Sequence, residues 1–174
     1  SGNQGATNEI NKNFVCWCWK AGGSASSDSN GDITSSVSAN TTAGFSIVSY
    51  TGNASSNQTV GHGLGGVPQM IISKNRDNTR TNYNDWIVYH HSNATANDTK
   101  LKLNTTDAAS STNEWGDTDP TSSVYSLHTS GDGATNDGTD KIVSYVWTSI
   151  KGFSKFGSYV GNGNNDGPFI YTGF

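Results

Sequence analysis

The amino-acid composition predicts an all-β protein, an antiparallel β-sandwich of the jelly-roll or a related type with long polar loops. Ser, Thr, Asn and Gly account for 85 of the 174 residues, whereas Glu occurs twice and Leu four times, so strong helix formers are scarce. Val, Ile, Thr and aromatic residues carry the apolar content, in about seven to nine short runs separated by turn residues. Because the runs have no helical period, they fit two packed antiparallel sheets.

The first predicted strand covers residues 14–19, whose sequence is Phe-Val-Cys-Trp-Cys-Trp. We expect this strand to be buried, with Cys16 and Cys18 on one face as small buried side chains. Two thiols on the same strand face are poorly placed for an unstrained disulfide, and two cysteines do not complete a four-ligand zinc site.

The later strands alternate with polar turns. A Ser-, Asn- and Gly-rich stretch over 22–43 contains at most a short strand near Ile33 and Val37. A glycine-rich loop over 60–68 ends in a proline, which suits the start of a strand because a missing backbone N–H is harmless there. The other predicted strands cover residues 45–50, 69–74, 85–90, 101–103, 124–127 and 142–147.

The opening of the chain recurs near its end. Val15-Cys16-Trp17-Cys18-Trp19 corresponds to Val143-Ser144-Tyr145-Val146-Trp147, and the tripeptide Gly44-Phe45-Ser46 corresponds to Gly152-Phe153-Ser154. A segment that begins again in this way indicates tandem modules, which are typical of fibres, appendages and other extended structures.

The repeat also predicts the domain organisation. We expect residues 1–13 to form a polar arm or linker and residues 14–151 to form the β-sandwich module. Residues 152–174 then begin a second, incomplete repeat, which packs on the first module or on a neighbouring subunit.

The ordered motifs of the chain resemble a repeated domain of tail-fibre and other appendage proteins of marine and freshwater tailed bacteriophages, of the cyanophage and pelagiphage type. The resemblance covers most of the chain after residue 13. The motifs that carry it are FVCWCWKAGG at 14–23, GFSIVSYTGN at 44–53, VGHGLGGVP at 60–68, MIISKNR at 70–76, DWIVYH at 85–90, LNTTD at 103–107 and GPFIYTGF at 167–174. In such proteins another proline-led strand usually follows the Thr-Gly-Phe ending, whereas this sequence stops at Phe174.

The resemblance implies a non-enzymatic virion structural protein, a tail-fibre or appendage module on the virion surface that contributes to assembly and to attachment to the host. Its implied partners are other copies of itself, other virion proteins and host-surface glycans. Three alternatives stay open: a capsid-surface decoration protein, a carbohydrate-binding module, and a subunit of an extracellular filament. In the filament, the incomplete repeat of one copy would pair with the next subunit through its unpaired strand edge.

Four aromatic residues beside polar turns are candidates for carbohydrate or receptor binding, because sugar rings stack on aromatic faces flanked by Asn and Asp. We expect Trp115, in the loop 113–117, to be the most exposed of them. For each residue the alternative is packing in the core or between subunits. The candidates are Trp115, Trp86, Tyr89 and Tyr125.

A weak calcium-site candidate is formed by Asp28, Asn30 and Asp32, which place oxygen ligands at alternate positions. The calcium-loop pattern then fails, since Ile33 stands where glycine is required, and an Asx turn is the favoured interpretation. We also expect His90 and His91 to point to opposite faces of a strand, where they could not chelate one ion together. The sequence predicts neither a metal nor a cofactor.

Composition and motifs give no support to the main alternatives to a structural role. The net charge is −4 with no basic run, which disfavours a nucleic-acid partner, and no apolar stretch approaches the roughly 20 residues of a membrane-spanning helix. The glycine-rich loop leads into a strand rather than a helix, so it lacks the geometry of a phosphate cradle. Glu9 and Glu114 are isolated, and no nucleophile elbow occurs, so we expect no enzymatic activity.

Overall fold

The structure, a computed structural model, describes residues 10–77, 85–129 and 135–173, and these ranges contain ten strands and no helix. The strands pair antiparallel throughout, which confirms the predicted all-β antiparallel fold. Their bounds are β1 Ser26–Asp28, β2 Ser35–Asn40, β3 Phe45–Thr51, β4 Gln58–Gly61, β5 Met70–Asn75, β6 Trp86–His90, β7 Thr99–Lys102, β8 Ser110–Ser111, β9 Val124–Leu127 and β10 Lys141–Trp147.

Eight of these strands form one large sheet in the order β1-β2-β3-β10-β5-β6-β7-β8, and β4 and β9 form a second, two-stranded sheet. The last strand, β10, lies between β3 and β5, so the centre of the large sheet joins early and late parts of the chain. The two sheets pack face to face as a β-sandwich: Val60 of β4 and Leu127 of β9 belong to the same buried cluster as Val48 of β3.

The core lies between the two sheets and is filled by alternate residues of the central strands. Val48, Ile71, Ile142 and Val146 are fully buried on the inner face of the large sheet. Each buried aliphatic side chain of this kind stabilises the fold by about 1.5–3 kcal/mol relative to an exposed position.

Several polar groups inside the sandwich are paired. The Ser73 and Ser144 hydroxyls lie 2.7 Å apart across β5 and β10, and the Tyr50 hydroxyl donates to the carbonyl of Thr135 at 2.7 Å. Lys100 on β7 and Glu114 form a buried ion pair with an Nζ–Oε1 distance of 3.0 Å. Such pairing is required because an unpartnered polar group in the core costs about 1–3 kcal/mol.

The N-terminal segment at 14–19 is the main error of the sequence prediction, because it is neither a strand nor buried. It forms no strand bridge, and both Cys16 and Cys18 are exposed free thiols whose sulfurs lie 3.6 Å apart. Its apolar alternation is suited to a strand. However, the position between β3 and β5 is occupied by β10, which repeats the same motif.

The other predicted strands are present with small shifts of their ends. The short strand expected near Val37 is β2, and the glycine-rich loop at 60–68 begins inside β4. Three short strands, β1, β4 and β8, were not predicted. Their polar sequences lack an apolar alternation, and backbone pairing with a neighbouring strand holds them in place.

The C-terminal residues 155–173 contain no strand and lie on the surface. A single bridge between Ile150 and Ser154 closes the turn after β10. Residues 1–9 of the predicted arm lie outside the described part of the chain. The division into an arm, a module at 14–151 and an incomplete repeat at 152–174 stays a prediction, although all ten strands fall within the second range.

Candidate functional site

The outer face of the large sheet, turned away from the core, carries apolar and aromatic side chains instead of the polar ones usual on a solvated face. Strand register aligns them in rows: Trp147 lies between Phe45 and Met70 in the first row, and Tyr145 lies between Ile47 and Ile72 in the next. We call this surface the aromatic face; it consists of Phe45, Ile47, Met70, Ile72, Trp86, Tyr145 and Trp147.

The rings of the aromatic face form a continuous ladder across four strands. Trp86 on β6 stacks on Tyr145 with centroids 6.3 Å apart, and Tyr145 stacks parallel to Phe45 at 6.5 Å. Phe45 in turn lies 5.1 Å from the ring of Trp147. Ring pairs of this kind contribute about 0.5–1.5 kcal/mol beyond the apolar area that they bury.

The N-terminal segment crosses part of the aromatic face. The ring of Trp19 meets Trp147 edge-on with centroids 5.4 Å apart, and the backbone beyond it is held by two side chains of β2. Asn40 donates to the carbonyl of Lys20 at 3.1 Å, and Ser38 donates to the carbonyl of Gly23 at 2.7 Å. These hydrogen bonds fix the segment after residue 19 on the sheet.

This cover is incomplete and leaves an apolar groove of about 600 Å³. Trp17 lines the groove and yet remains 75% exposed, and Phe156 reaches the groove from the C-terminal segment. No charged side chain of the described residues lines it. The lining residues are Trp17, Cys18, Trp19, Phe45, Ile47, Met70, Ile72, Trp86, Leu103, Tyr145, Trp147 and Phe156.

Both terminal segments also present large apolar side chains to solvent. These exposed residues are Ile10, Phe14, Val15, Trp17 and Trp19 at one end of the described chain, and Phe153, Tyr159, Val160, Phe169, Ile170 and Tyr171 at the other. Monomeric proteins rarely expose contiguous apolar patches larger than a few hundred Å², and larger ones mark sites of interaction.

Three of the four aromatic residues predicted to bind a ligand are buried instead. Trp115, expected to be the most exposed, is 1% exposed and packs edge-on against Tyr89 with centroids 5.8 Å apart. Tyr125 is fully buried in the same core, and burial raises the pKa of Tyr89 to about 12. The turn that carries Trp115 directs its indole into the core, where it belongs to the same buried cluster as Tyr89 and Tyr125. Of the four candidates, only Trp86 reaches the surface.

The remaining members of the aromatic face escaped the sequence prediction. Phe45, Tyr145 and Trp147 lie in predicted strands, but no second apolar face was predicted for these strands. The signal was present in β10, where the residues between the core positions Ile142, Ser144 and Val146 are also apolar.

The calcium candidates form a local turn together with a loop contact. Asp28 Oδ1 accepts hydrogen bonds from the backbone and side-chain nitrogens of Asn30 at 2.9 and 2.8 Å, which is the Asx turn favoured from the sequence. Asp32 Oδ2 instead accepts from the hydroxyl of Thr59 at 2.8 Å. Among the described residues, no group of three or more His, Cys, Asp or Glu side chains could hold a metal ion.

The expectation that His90 and His91 point to opposite faces is wrong. Their rings stack with centroids 5.4 Å apart, because β6 ends at His90 and the chain turns there. Nδ1 of His90 accepts from the backbone of Ser92 at 3.2 Å, and burial lowers the pKa of His90, with a smaller contribution from His91.

Comparison with known proteins places the whole chain in one family. Neither the curated proteins nor the solved structures provide a match. Within the described ranges, no helix is long and apolar enough to cross a membrane. One family, described as a domain of unknown function (DUF7483), matches residues 1–174. The chain therefore belongs to the DUF7483 family.

Proposed function

We propose that this chain is a non-enzymatic structural module of a phage tail fibre or a similar virion appendage, displayed on the virion surface, where it contributes to assembly and to host attachment. The single observation that carries the proposal is the aromatic face together with the apolar terminal segments. These surfaces leave large apolar side chains exposed, and the internal repeat supplies a reason why other modules would cover them.

The chemistry of the groove favours a protein partner over a soluble ligand. Its polar atoms are limited to the hydroxyl of Tyr145, the indole nitrogens, a thiol and backbone groups, so its affinity would come from buried apolar area. Packed protein interfaces have aromatic and methionine-rich centres of this kind, depleted in charge.

Immunogold electron microscopy tests this proposal. Antibodies raised against the 174-residue chain are applied to purified particles whose genome encodes it, with pre-immune serum as the control. Label along tail fibres or other appendages is expected. Label spread over the capsid would replace the proposal with a decoration protein, and particles without any label would overturn a virion role.

A second candidate function, glycan binding, is favoured by the surroundings of Trp86. This half-buried indole adjoins a polar cluster in which Asp85 accepts from Asn104 at 2.9 Å and pairs with Lys102 at 2.9 Å. The hydrogen bond from Asn104 and then the ammonium group of Lys102 lower the pKa of Asp85, so its carboxylate stays charged. An aromatic platform beside such groups can stack and orient a sugar ring.

A glycan array read with wild type and Trp86→Ala separates this candidate from the first. Specific glycan signals that disappear in Trp86→Ala but persist in Phe153→Ala would support a sugar site at the sheet edge. Trp115 is unsuitable for this purpose, since replacing a fully buried indole is expected to cost about 3–5 kcal/mol of folding free energy.

A further inference from the structure

We infer that residues 14–19 of one copy pair, head to tail, with residues 153–159 of a second copy of the same module. The strands run antiparallel, in the register that β10 adopts on β3. The inference rests on the proposed structural function and adds to it the segments, the partner and the register of the contact.

The fold itself contains the template for this contact. β10 is the second copy of the opening motif, and β3 begins at the first copy of the Gly-Phe-Ser motif. These two repeated elements pair with each other over seven residues, with Trp147 opposite Phe45. The counterparts of that pair are Trp19, in a segment without strand pairing, and Phe153, in the turn that the bridge between Ile150 and Ser154 closes.

The aromatic residues of the other two repeat copies are exposed, as expected for side chains that a partner would cover. Trp17 is 75% and Phe153 is 62% exposed, whereas their equivalents in the paired strands, Tyr145 and Phe45, lie in the ring ladder. Residues 14–19 form no strand bridge, so a neighbouring strand can satisfy their backbone N–H and C=O groups. The pairing would exchange the bridge that Ser154 now forms with Ile150.

Chain order points to a second copy as the partner. In the fold, the β3-type element precedes its β10-type partner along the sequence. The other two copies of these elements stand in the opposite order within one chain. Residues 14–19 correspond to β10 and come first, and residues 153–159 correspond to β3 and come later. The native order is restored when the end of one copy meets the beginning of the next.

The template fixes which side chains face each other. Trp19 lies opposite Phe153 on one face of the new strand pair. Cys18 lies opposite Ser154 on the other face, as Val146 lies opposite Ser46 in the fold. Directly opposed residues of an antiparallel pair have Cβ atoms about 4.5–5.5 Å apart, close enough for a disulfide after a small adjustment.

Disulfide trapping with the full chain tests this register. The variant Cys16→Ser/Ser154→Cys keeps Cys18 and introduces a near-isosteric thiol opposite it. Mild oxidation followed by non-reducing electrophoresis should give a ladder of covalent dimers, trimers and longer oligomers, since each copy carries one head and one tail. Addition of dithiothreitol should collapse the ladder to monomer.

The matched control is Cys16→Ser/Lys155→Cys, whose new thiol lies one residue away and is more exposed. Because successive strand residues point to opposite faces, it should form at least about tenfold less oligomer. Equal ladders from both variants, no ladder from the Ser154 variant, or a fast-migrating monomer cross-linked within one chain would each overturn the inference.

Association without engineered thiols gives an independent measurement. In sedimentation velocity, wild type and Phe169→Ser should form oligomers, although Phe169 is 91% exposed, whereas Phe153→Ser should remain monomeric. Oligomers that persist in Phe153→Ser would contradict the proposed pairing but would not contradict the structural function. The immunogold result tests that function separately.

Discussion

His62 holds the turn between β4 and β5 through both nitrogens of its buried ring. Its Nε2 bonds the carbonyl of Thr121 at 3.2 Å, and its Nδ1 faces the backbone N–H of Leu64 at 3.3 Å. A carbonyl needs a donor and an N–H needs an acceptor, so the contacts select the neutral Nε2–H tautomer. Burial lowers the pKa of His62, against smaller opposing effects of Thr121 and the carboxylate of Asp28.

This pKa makes stability depend on pH. Because the folded pKa of His62 lies below its usual value of 6.5, the unfolded chain binds more protons as the pH falls through that value. The free energy of unfolding, measured by urea titration between about pH 8 and pH 5, should therefore decrease towards acid pH.

His62→Gln should be less stable than wild type at about pH 8 but should lose less stability on acidification. Part of the slope should remain, because the pKa of His90 is also lowered. His90→Gln, which removes the other histidine whose pKa is lowered, serves as the comparison and should retain the part of the slope that His62 contributes. Parallel pH profiles for wild type and His62→Gln would contradict this role of His62.

At the same scale, sequence context was a poor guide to which aromatic rings are exposed. Trp115 is flanked by Asn113, Glu114 and Asp117, and yet both Trp115 and Glu114 are buried. Glu114 enters the core because Lys100 meets it there; Lys100 lies 14 residues earlier, on strand β7, which pairs with β8 just before Glu114. The residues immediately around Glu114 do not identify such a partner.

Among the elements, β3 depends on the conformation of the residue just before it. Gly44 has a φ of +65°, and a Cβ atom at this position would lie 2.5 Å from the carbonyl oxygen of Thr148. The Gly44 carbonyl also accepts the backbone N–H of Thr148 at 2.9 Å, which closes the β3–β10 pair at this end.

We expect Gly44→Ala to destabilise the protein more than Gly65→Ala does. Both positions have positive φ, so each alanine costs about 1–2 kcal/mol in backbone strain, but nothing lies within 4 Å of a Cβ on Gly65. The clash at Gly44 should add about 1–3 kcal/mol. Thermal or urea unfolding of the two variants measures the difference, and equal losses would refute this account of Gly44.

The elements that the sequence predicted well are those with an apolar alternation and a partner within the fold, such as β3, β5, β6 and β10. The segment 14–19 has the same alternation but no partner among the described strands. β4 shows the reverse case: it has only one large apolar residue, Val60, but pairs with β9 over four residues. In both cases, whether the segment forms a strand depends on pairing with a distant segment, which is a nonlocal property.

Over the whole molecule, the large sheet has two apolar faces and only one of them is fully covered. The small sheet covers the inner face, whereas Trp19 and Phe156 cover only part of the outer face. The fold class followed from composition, but the second apolar face was not predictable, since its rows join residues of β3, β5 and β10 through register.

This imbalance predicts how self-association should respond to solution conditions. Because no charged side chain lines the groove, association should change little between about 0.05 and 0.5 M NaCl. It should strengthen in ammonium sulfate and weaken on cooling from about 25 to 5 °C, as expected for burial of apolar surface. Sedimentation velocity under these conditions measures the effect. Oligomers that dissociate in NaCl would instead indicate a charged interface.

The central position of β10 has a consequence for synthesis on the ribosome. β3 and β5 both pair with β10, which is the last strand to be synthesised. The large sheet therefore remains incomplete until residue 147 has left the exit tunnel. Until then, the nascent chain exposes the facing edges of two apolar strands, a state prone to aggregation. If successive modules share this design, the first residues of each module complete the one before it. The modules would then fold one after another during translation, each completed when the start of the next module is synthesised.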